Sequence, residues 1–288
     1  MKTSVKHNVS SRALLVSVGL GMAVMASTVG AQEAQSEADN AAELAKKLSN
    51  PIASLISVPF KYSWDTGIGT KTSDPKSRDD ATQETLILQP VIPFELNADT
   101  NLITRTIIPY VRAESKVVGG GTESGLGDIT QSFFISPKAP TASGWILGAG
   151  PVFFYPSASN DKVGAEKWGI GPTAVLLKQD KGVTYGLLAN HIWSVAGNDA
   201  RADISATFLQ PFLSYTTKTF TTFGINTEST YDWKADKWTV PINLTAQQML
   251  KIAKQPVAFA LGYRNYVSKP EGGPDWGLSF TMTLLFPK

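Results

Sequence analysis

Side chains able to do chemistry are few. The 288 residues include no cysteine and two histidines, His7 and His191. A thiolate nucleophile, a disulfide framework and a histidine- or cysteine-rich metal centre are therefore excluded. One short stretch has the composition of a nucleophile with its base: Asn190, His191, Ser194 and Asn198. Activating a serine requires an imidazole within hydrogen-bonding reach. His191 and Ser194 are three apart, so in a regular strand they point to opposite faces, and only a bend would bring them together. The glycine-rich stretches Gly119-Gly120-Gly121 and Gly125-Leu126-Gly127 lack the Gly-Lys-Ser/Thr ending and the following helix of a phosphate loop. They read as a flexible loop leading into a strand. Lys and Arg number 26 against 24 Asp and Glu, a balance unlike that of a nucleic-acid binder. No residue is read as catalytic, cofactor-binding or metal-binding.

What is left is a scatter of charged and amide side chains, whose meaning depends on the elements that carry them. From Pro51 onward the chain reads as twelve strand-like segments: 53–64, 84–95, 101–113, 125–137, 144–156, 167–178, 182–193, 203–217, 219–230, 237–250, 255–267 and 275–286. They exceed the usual strand length of about 5–6 residues and match the roughly 9–11 that a tilted strand needs to cross a bilayer. Several alternate cleanly. In the last, Trp276, Leu278, Phe280, Met282, Leu284 and Phe286 share one face, and Gly277, Ser279, Thr281 and Thr283 the other. The tenth sets Trp238, Val240, Ile242 and Leu244 against Thr239, Asn243, Thr245 and Gln247. A soluble sandwich also alternates. The aromatic ends of the apolar rows and the small polar opposite rows favour a membrane barrel, with aromatic girdles outside and a wet or side-chain-filled lumen.

The connections alternate in length as well. Residues 65–83, 114–124, 157–166 and 194–202 are long links, whereas 96–100, 179–181 and 251–254 are short, and Lys218 alone joins two segments. Outer-membrane barrels have short periplasmic turns and longer external loops. An even number of strands then leaves both termini on the periplasmic side. The fold class expected is all-β: a twelve-stranded antiparallel transmembrane β-barrel with a short N-terminal helix.

The start of the chain reads as an address. Lys2, Lys6 and Arg12 precede the apolar stretch Ala13 to Ala26, and Val29 and Ala31 hold the −3 and −1 positions of a cleavage site. That is a secretory signal, too short to anchor in a bilayer. Cleavage after Ala31 leaves a chain with 23 basic and 24 acidic residues. The organisation expected is a signal peptide over 1–31, a periplasmic segment over 32–52 with a helix from Asn40 to Leu48, and a barrel over 53–288. Ala41, Leu44, Ala45 and Leu48 share one helical face, and Asn50-Pro51 ends the helix. The helix either plugs the lumen from the periplasmic side or lies at the periplasmic surface.

If the apolar rows face lipid, the opposite rows contain the candidate lumen-lining residues Gln89, Arg105, Asp128, Asn190, Gln210, Asn226, Glu228, Asn243 and Arg264. Ionisable groups at membrane depth turn inward and pair, so Arg105 and Arg264 are expected to find Asp128 and Glu228. Such a set is either a selectivity or binding constellation or a group of ion pairs that stiffens the barrel. Pro59, Pro90, Pro93, Pro109, Pro151, Pro172, Pro211 and Pro241 fall inside the segments. Proline removes a ladder hydrogen bond, so these mark bulges, bends or strand ends.

Several stretches resemble a bacterial family labelled only "transporter" and sometimes mislabelled neuromedin U. They include Leu44-Ala45-Lys46-Lys47-Leu48-Ser49-Asn50-Pro51, Gln89-Pro90-Val91-Ile92-Pro93-Phe94, Lys167-Trp168-Gly169-Ile170-Gly171-Pro172, Ala189-Asn190-His191-Ile192-Trp193 and Gln210-Pro211-Phe212. The family is related to outer-membrane proteins attached to the phenol-degradation meta pathway. The resemblance implies an outer-membrane barrel and no particular functional residue. One departure is the ending Phe286-Pro287-Lys288, because many such barrels finish on the aromatic that the assembly machinery recognises. Outer-membrane phospholipases are similar in architecture, but they place histidine and serine two apart on one strand face. The function expected is a channel or transporter for small molecules, hydrophobic or aromatic ones among them. The alternatives are a phospholipase-like enzyme or a plugged structural barrel. No cofactor and no nucleic acid is expected. The partners are outer-membrane lipid, a small-molecule substrate and the barrel-assembly machinery.

Overall fold

A computed structural model describes residues 41–287; the signal segment and its cleavage point lie outside the described residues. Residues 41–48 form the helix α1. The turn after it is set by Asn50 and Pro51: the Asn50 side chain accepts from the Ile52 amide at 2.9 Å, and the Ala53 amide donates to the Asn50 carbonyl at 3.2 Å. Proline in the second position of such a turn supplies its φ at no cost.

The rest is a closed antiparallel barrel of twelve strands. In chain order they are β1 (Ile56–Ile68), β2 (Ala81–Leu88 and Val91–Glu95), β3 (Thr100–Glu114), β4 (Thr122–Leu126 and Ile129–Pro137), β5 (Trp145–Tyr155) and β6 (Lys167–Asp180). Then come β7 (Val183–Gly197), β8 (Ser205–Thr216), β9 (Thr221–Thr227 and Ser229–Asp232), β10 (Lys237–Ile252), β11 (Gln255–Ser268) and β12 (Trp276–Phe286). β2, β4 and β9 are each broken once, and both pieces continue along the same neighbouring strand. Each strand pairs with its neighbours in sequence, and β12 returns to β1 from Thr66↔Trp276 to Ile56↔Phe286. Closure leaves no edge, the condition for β-structure in hydrocarbon.

The outer surface is that of a body solvated by lipid. Leu244, Leu261, Leu278, Leu213 and Ile225 are all exposed, and a continuous apolar surface of this kind is unstable in water. Aromatic pairs flank the band. Trp64–Trp276, Tyr155–Trp168 and Tyr231–Trp238 lie toward the end with the long loops, with centroids 5.4, 5.7 and 4.9 Å apart. Trp145–Tyr185, 5.8 Å apart, lies toward the end with the short turns. Two hairpins turn in two residues, Lys181-Gly182 and Ala253-Lys254; in the first both residues are at positive φ, matched to the twist of the flanking strands.

Proline governs the irregularities. Pro90 lies in the break of β2. Pro59 faces that break, and its carbonyl accepts from the Gln89 amide at 3.0 Å. Pro109 faces the break of β4 and accepts from the Gly127 amide at 2.8 Å. Pro241 sits at a register shift against β11. Pro151 and Pro172 are opposite each other on β5 and β6, and the ladders on either side of that pair skip residues there. Pro211 keeps an even register with β7 but lies opposite the gap in its ladder with β9, whereas Pro93 stands in an unbroken register with β3, against the expectation that every such proline marks an irregularity.

Candidate functional site

Inside the barrel, residues 44–55 reach across the lumen at the turn end. Ile52 is buried among Val91, Ile103, Phe134, Val175, Leu177 and Leu188, from β2, β3, β4, β6 and β7. Leu55, Ala53 and Ala45 are buried against Met249 of β10 and Leu285 of β12, with Leu44 and Leu48 alongside. The two clusters are on opposite walls, so the segment bridges them. Gly148 leaves room for it: a Cβ there would come 3.0 Å from Ile52 Cδ1. Two hydrogen bonds pin the backbone path, Asn101 Nδ2 to Ser54 Oγ at 2.8 Å and Gln179 Nε2 to the Lys46 carbonyl at 2.8 Å. Sequence reading placed residues 53–55 at the start of the first strand. The structure starts that strand at Ile56 and sends these apolar residues inward.

Further toward the loops, the seam between the chain's ends carries a charged network. Lys61 of β1 donates to both Glu228 oxygens at 3.1 and 3.3 Å. Arg264 of β11 bonds Glu228 at 3.0 Å, lies 3.5 Å from Asp65 and donates to Asn243 Oδ1 at 2.9 Å. Tyr266 donates to Asp65 at 3.2 Å, and Asn243 donates to Asn226 at 2.9 Å. Glu228 occupies the break in β9, and Arg264 and Asp65 are largely buried. In a low-dielectric interior such a network is stable only when every member is satisfied.

The sequence-derived candidates divide. Arg264, Glu228, Asn243 and Asn226 come together, and the expected Arg264–Glu228 pair forms. Gln89 and Arg105 form a second pair. With the amide oxygen turned toward the guanidinium, it accepts from Nε at 2.9 Å and Nη2 at 3.2 Å. Gln210 lines the same space as Gln89, Arg105 and Asn226. Asn190 stands apart, opposite Thr173 and Phe208 in the ladders. Asp128 pairs with no arginine among the described residues. It sits in the break of β4, where its oxygens accept from the Ala158 and Ala165 amides at 3.0 and 2.6 Å, and it shapes the loop 156–166. A carboxylate held by backbone donors at a loop base needs no cation, and the sequence had no means of placing that loop. Lys61, Asp65 and Tyr266 were missed. The signal was there for the first two: they alternate with Phe60, Tyr62 and Trp64.

Between the inserted segment and the wall lies a cavity of about 300 Å³. Its lining mixes apolar residues, Ala53, Leu55, Val91 and Phe212 among them, with polar ones that include Lys47, Gln89, Arg105, Gln210 and Asn226.

The residues weighed for catalysis do not assemble. Ser194 Oγ donates to Asp203 at 3.2 Å and accepts from the Ile204 amide at 3.0 Å. Lys167 also bonds Asp203 at 3.0 Å, and these two donors hold its carboxyl below the ordinary aspartate range. His191 is on the other face, against Trp193, with Nδ1 2.7 Å from Thr207 Oγ1. Its Nε2 is 3.4 Å from Ser205 Oγ, a contact at the limit of hydrogen bonding. The group orienting the imidazole is thus a neutral hydroxyl rather than a carboxylate or amide.

No family model and no curated protein matches the chain. Among solved structures, an outer membrane channel from Pseudomonas putida F1 is similar with a TM-score of 0.62 and 18% identity, over 81% of this chain and 96% of that one. The NanC porin gives 0.48 and 11%, over 81% of this chain and 100% of that one. Outer membrane phospholipase A from Escherichia coli gives 0.42 and 10%, over 79% and 92%. What the first likeness shows is the fold.

Proposed function

We propose that this chain is an outer-membrane β-barrel channel for small molecules, with its turn-end mouth closed by residues 44–55. One observation carries the reading: an exterior built for lipid encloses a lumen that is polar and charged above the inserted segment and retains a cavity. A barrel serving only as a structural wall has no need of such a space. In this reading the long loops face outward, the turns and both termini face the periplasm, and the signal segment delivers the chain to the assembly machinery. The resemblance to the "transporter" family agrees with it, as does the shared fold with the Pseudomonas putida channel.

The substrate class we assign is small molecules with an apolar or aromatic body. The apolar part of the cavity's lining, Ala53, Leu55, Val91 and Phe212, supports that assignment. The enzymatic alternative is the weaker one, because His191 and Ser194 occupy opposite faces. The test is planar-bilayer conductance of the refolded mature protein, together with liposome swelling in sugars and small aromatics. Ion conductance or aromatic-selective flux supports the channel. A folded barrel that passes nothing, even with the inserted segment released, would leave the structural role instead.

A further inference from the structure

We infer that Arg105 is the anchor of a binding site for a small organic carboxylate with a compact apolar body; the inference rests on the channel reading and names its substrate chemistry. The charges of the lumen carry the argument. Around the cavity and the seam, the barrel wall carries three cations, Lys61, Arg105 and Arg264, and two carboxylates, Asp65 and Glu228, while Lys47 of the inserted segment is also on the cavity's lining. Both carboxylates are already taken: Glu228 holds Lys61 and Arg264, and Asp65 holds Arg264 and Tyr266. Arg105 bonds neither: it feels Glu228 only through the longer-range field of that carboxylate. Its ladder partners, Val91 and Ser132, are buried and uncharged.

The geometry of the guanidinium supports the same conclusion. Gln89 occupies the Nε–Nη2 edge. Among the described residues, none accepts a hydrogen bond from Nη1, which leaves the Nη1–Nη2 end of a residue on the cavity's lining open to a further acceptor. That end is a planar fork matched to the two oxygens of a carboxylate. Gln210 and Asn226 offer further amide donors beside it, and Val91, Phe212 and Leu55 line the space where an apolar body would lie. An ionised group at membrane depth is costly; the carboxylate whose field reaches Arg105, Glu228, already bonds Lys61 and Arg264, and a bound anion supplies a countercharge in direct contact. The cavity, about 300 Å³, is at the lower end of the volume range of small-ligand pockets, about 300–1,000 Å³.

The experiment uses the full mature chain in detergent, with barrel integrity checked by heat-modifiable mobility. Binding of benzoate and of its neutral isostere benzamide is measured by calorimetry. Benzoate is expected to bind at least tenfold more tightly than benzamide. Arg105→Gln should weaken benzoate at least tenfold. Arg105→Lys keeps the charge, and with it the assembled barrel, but loses the fork and should weaken benzoate severalfold. Equal binding of benzoate and benzamide, or benzoate binding unchanged in Arg105→Lys, would overturn the site. Bilayer recordings separate this from the channel reading. Arg105-dependent binding in a barrel that never conducts would sink the channel and spare the site. Conductance without Arg105-dependent binding would do the reverse.

Discussion

Releasing the inserted segment should open the barrel, and the double substitution Ile52→Asp/Leu55→Asp is the sharpest way to do it. Both side chains are 3% exposed, and they dock on opposite walls of the lumen. Burying such a side chain is worth about 1.5–3 kcal/mol, so the pair forfeits about 3–6 kcal/mol. At about 1.4 kcal/mol per factor of ten, the ratio of docked to undocked segment falls by about 10² to 10⁴. Burial of the new carboxylates opposes docking further. The two hydrogen bonds at Ser54 and Lys46 are untouched by the substitutions, but each contributes only about 0.5–1.5 kcal/mol. Single-channel recording should show small or rare openings in the wild type and a large, long-lived conductance in the variant. Because a neutral acid is cheaper to bury than a carboxylate, the variant's open probability should fall again as the pH drops through the carboxylate range. A variant whose barrel is intact by heat-modifiable mobility, yet conducts like the wild type at neutral pH, would refute the idea that these contacts close the lumen.

Other expectations follow from single contacts. Glu228→Ala strips Lys61 and Arg264 of their shared partner and should destabilise the barrel by about 1–3 kcal/mol, allowing for partial exposure, seen as a lower urea midpoint in lipid. Gly171→Ala should prevent assembly, because its Cβ would overlap the His191 carbonyl oxygen on the adjacent strand; recovery of a heat-modifiable barrel would contradict the packing described. Asp203 has its carboxyl lowered by Lys167 and Ser194, so the link between the loop 198–204 and β6 should persist above the ordinary aspartate pKa and be lost only as the pH falls through the lowered one. A carboxyl NMR titration of Asp203 with a midpoint at or above the ordinary value would contradict that. Phospholipid vesicles incubated with the protein should release no fatty acid, and His191→Ala should leave that result unchanged.

The strand count was readable because lipid on one side and a polar lumen on the other impose a period of two along the wall, as in Trp276 to Phe286. Loop lengths carried the up-and-down order. Three things were beyond that pattern. The breaks at Gln89-Pro90, Gly127-Asp128 and Glu228 depend on which proline faces them across the ladder, Pro59, Pro109 and Pro241 in turn. The fate of Ile52 and Leu55 could not be inferred, since an apolar residue beside lipid and one buried inside the lumen look alike in a sequence. Asp128 depended on the path of the loop 156–166, which is fixed by the very bonds that occupy it. Pairing of Arg264 with Glu228 was expected from the cost of isolated charge. That Arg105 lacks a bonded carboxylate emerged only when Lys61 was found on Glu228 beside Arg264.

The seam between β12 and β1 has a consequence for how the molecule is made. Its partners, such as Lys61↔Thr281 and Asp65↔Gly277, are among the most distant contacts the chain can form, and non-local contacts of this kind are made slowly. Until the last strand is laid down, two edges stand open, and hydrocarbon offers their amides no partner. The segment 44–55 is joined directly to β1, so it has to be inside or at the mouth when the seam shuts. Closure is therefore a single late event that fixes both the wall and what it encloses. A chain shortened by its final strand should not become a leaky barrel; it should fail to leave the chaperoned state at all.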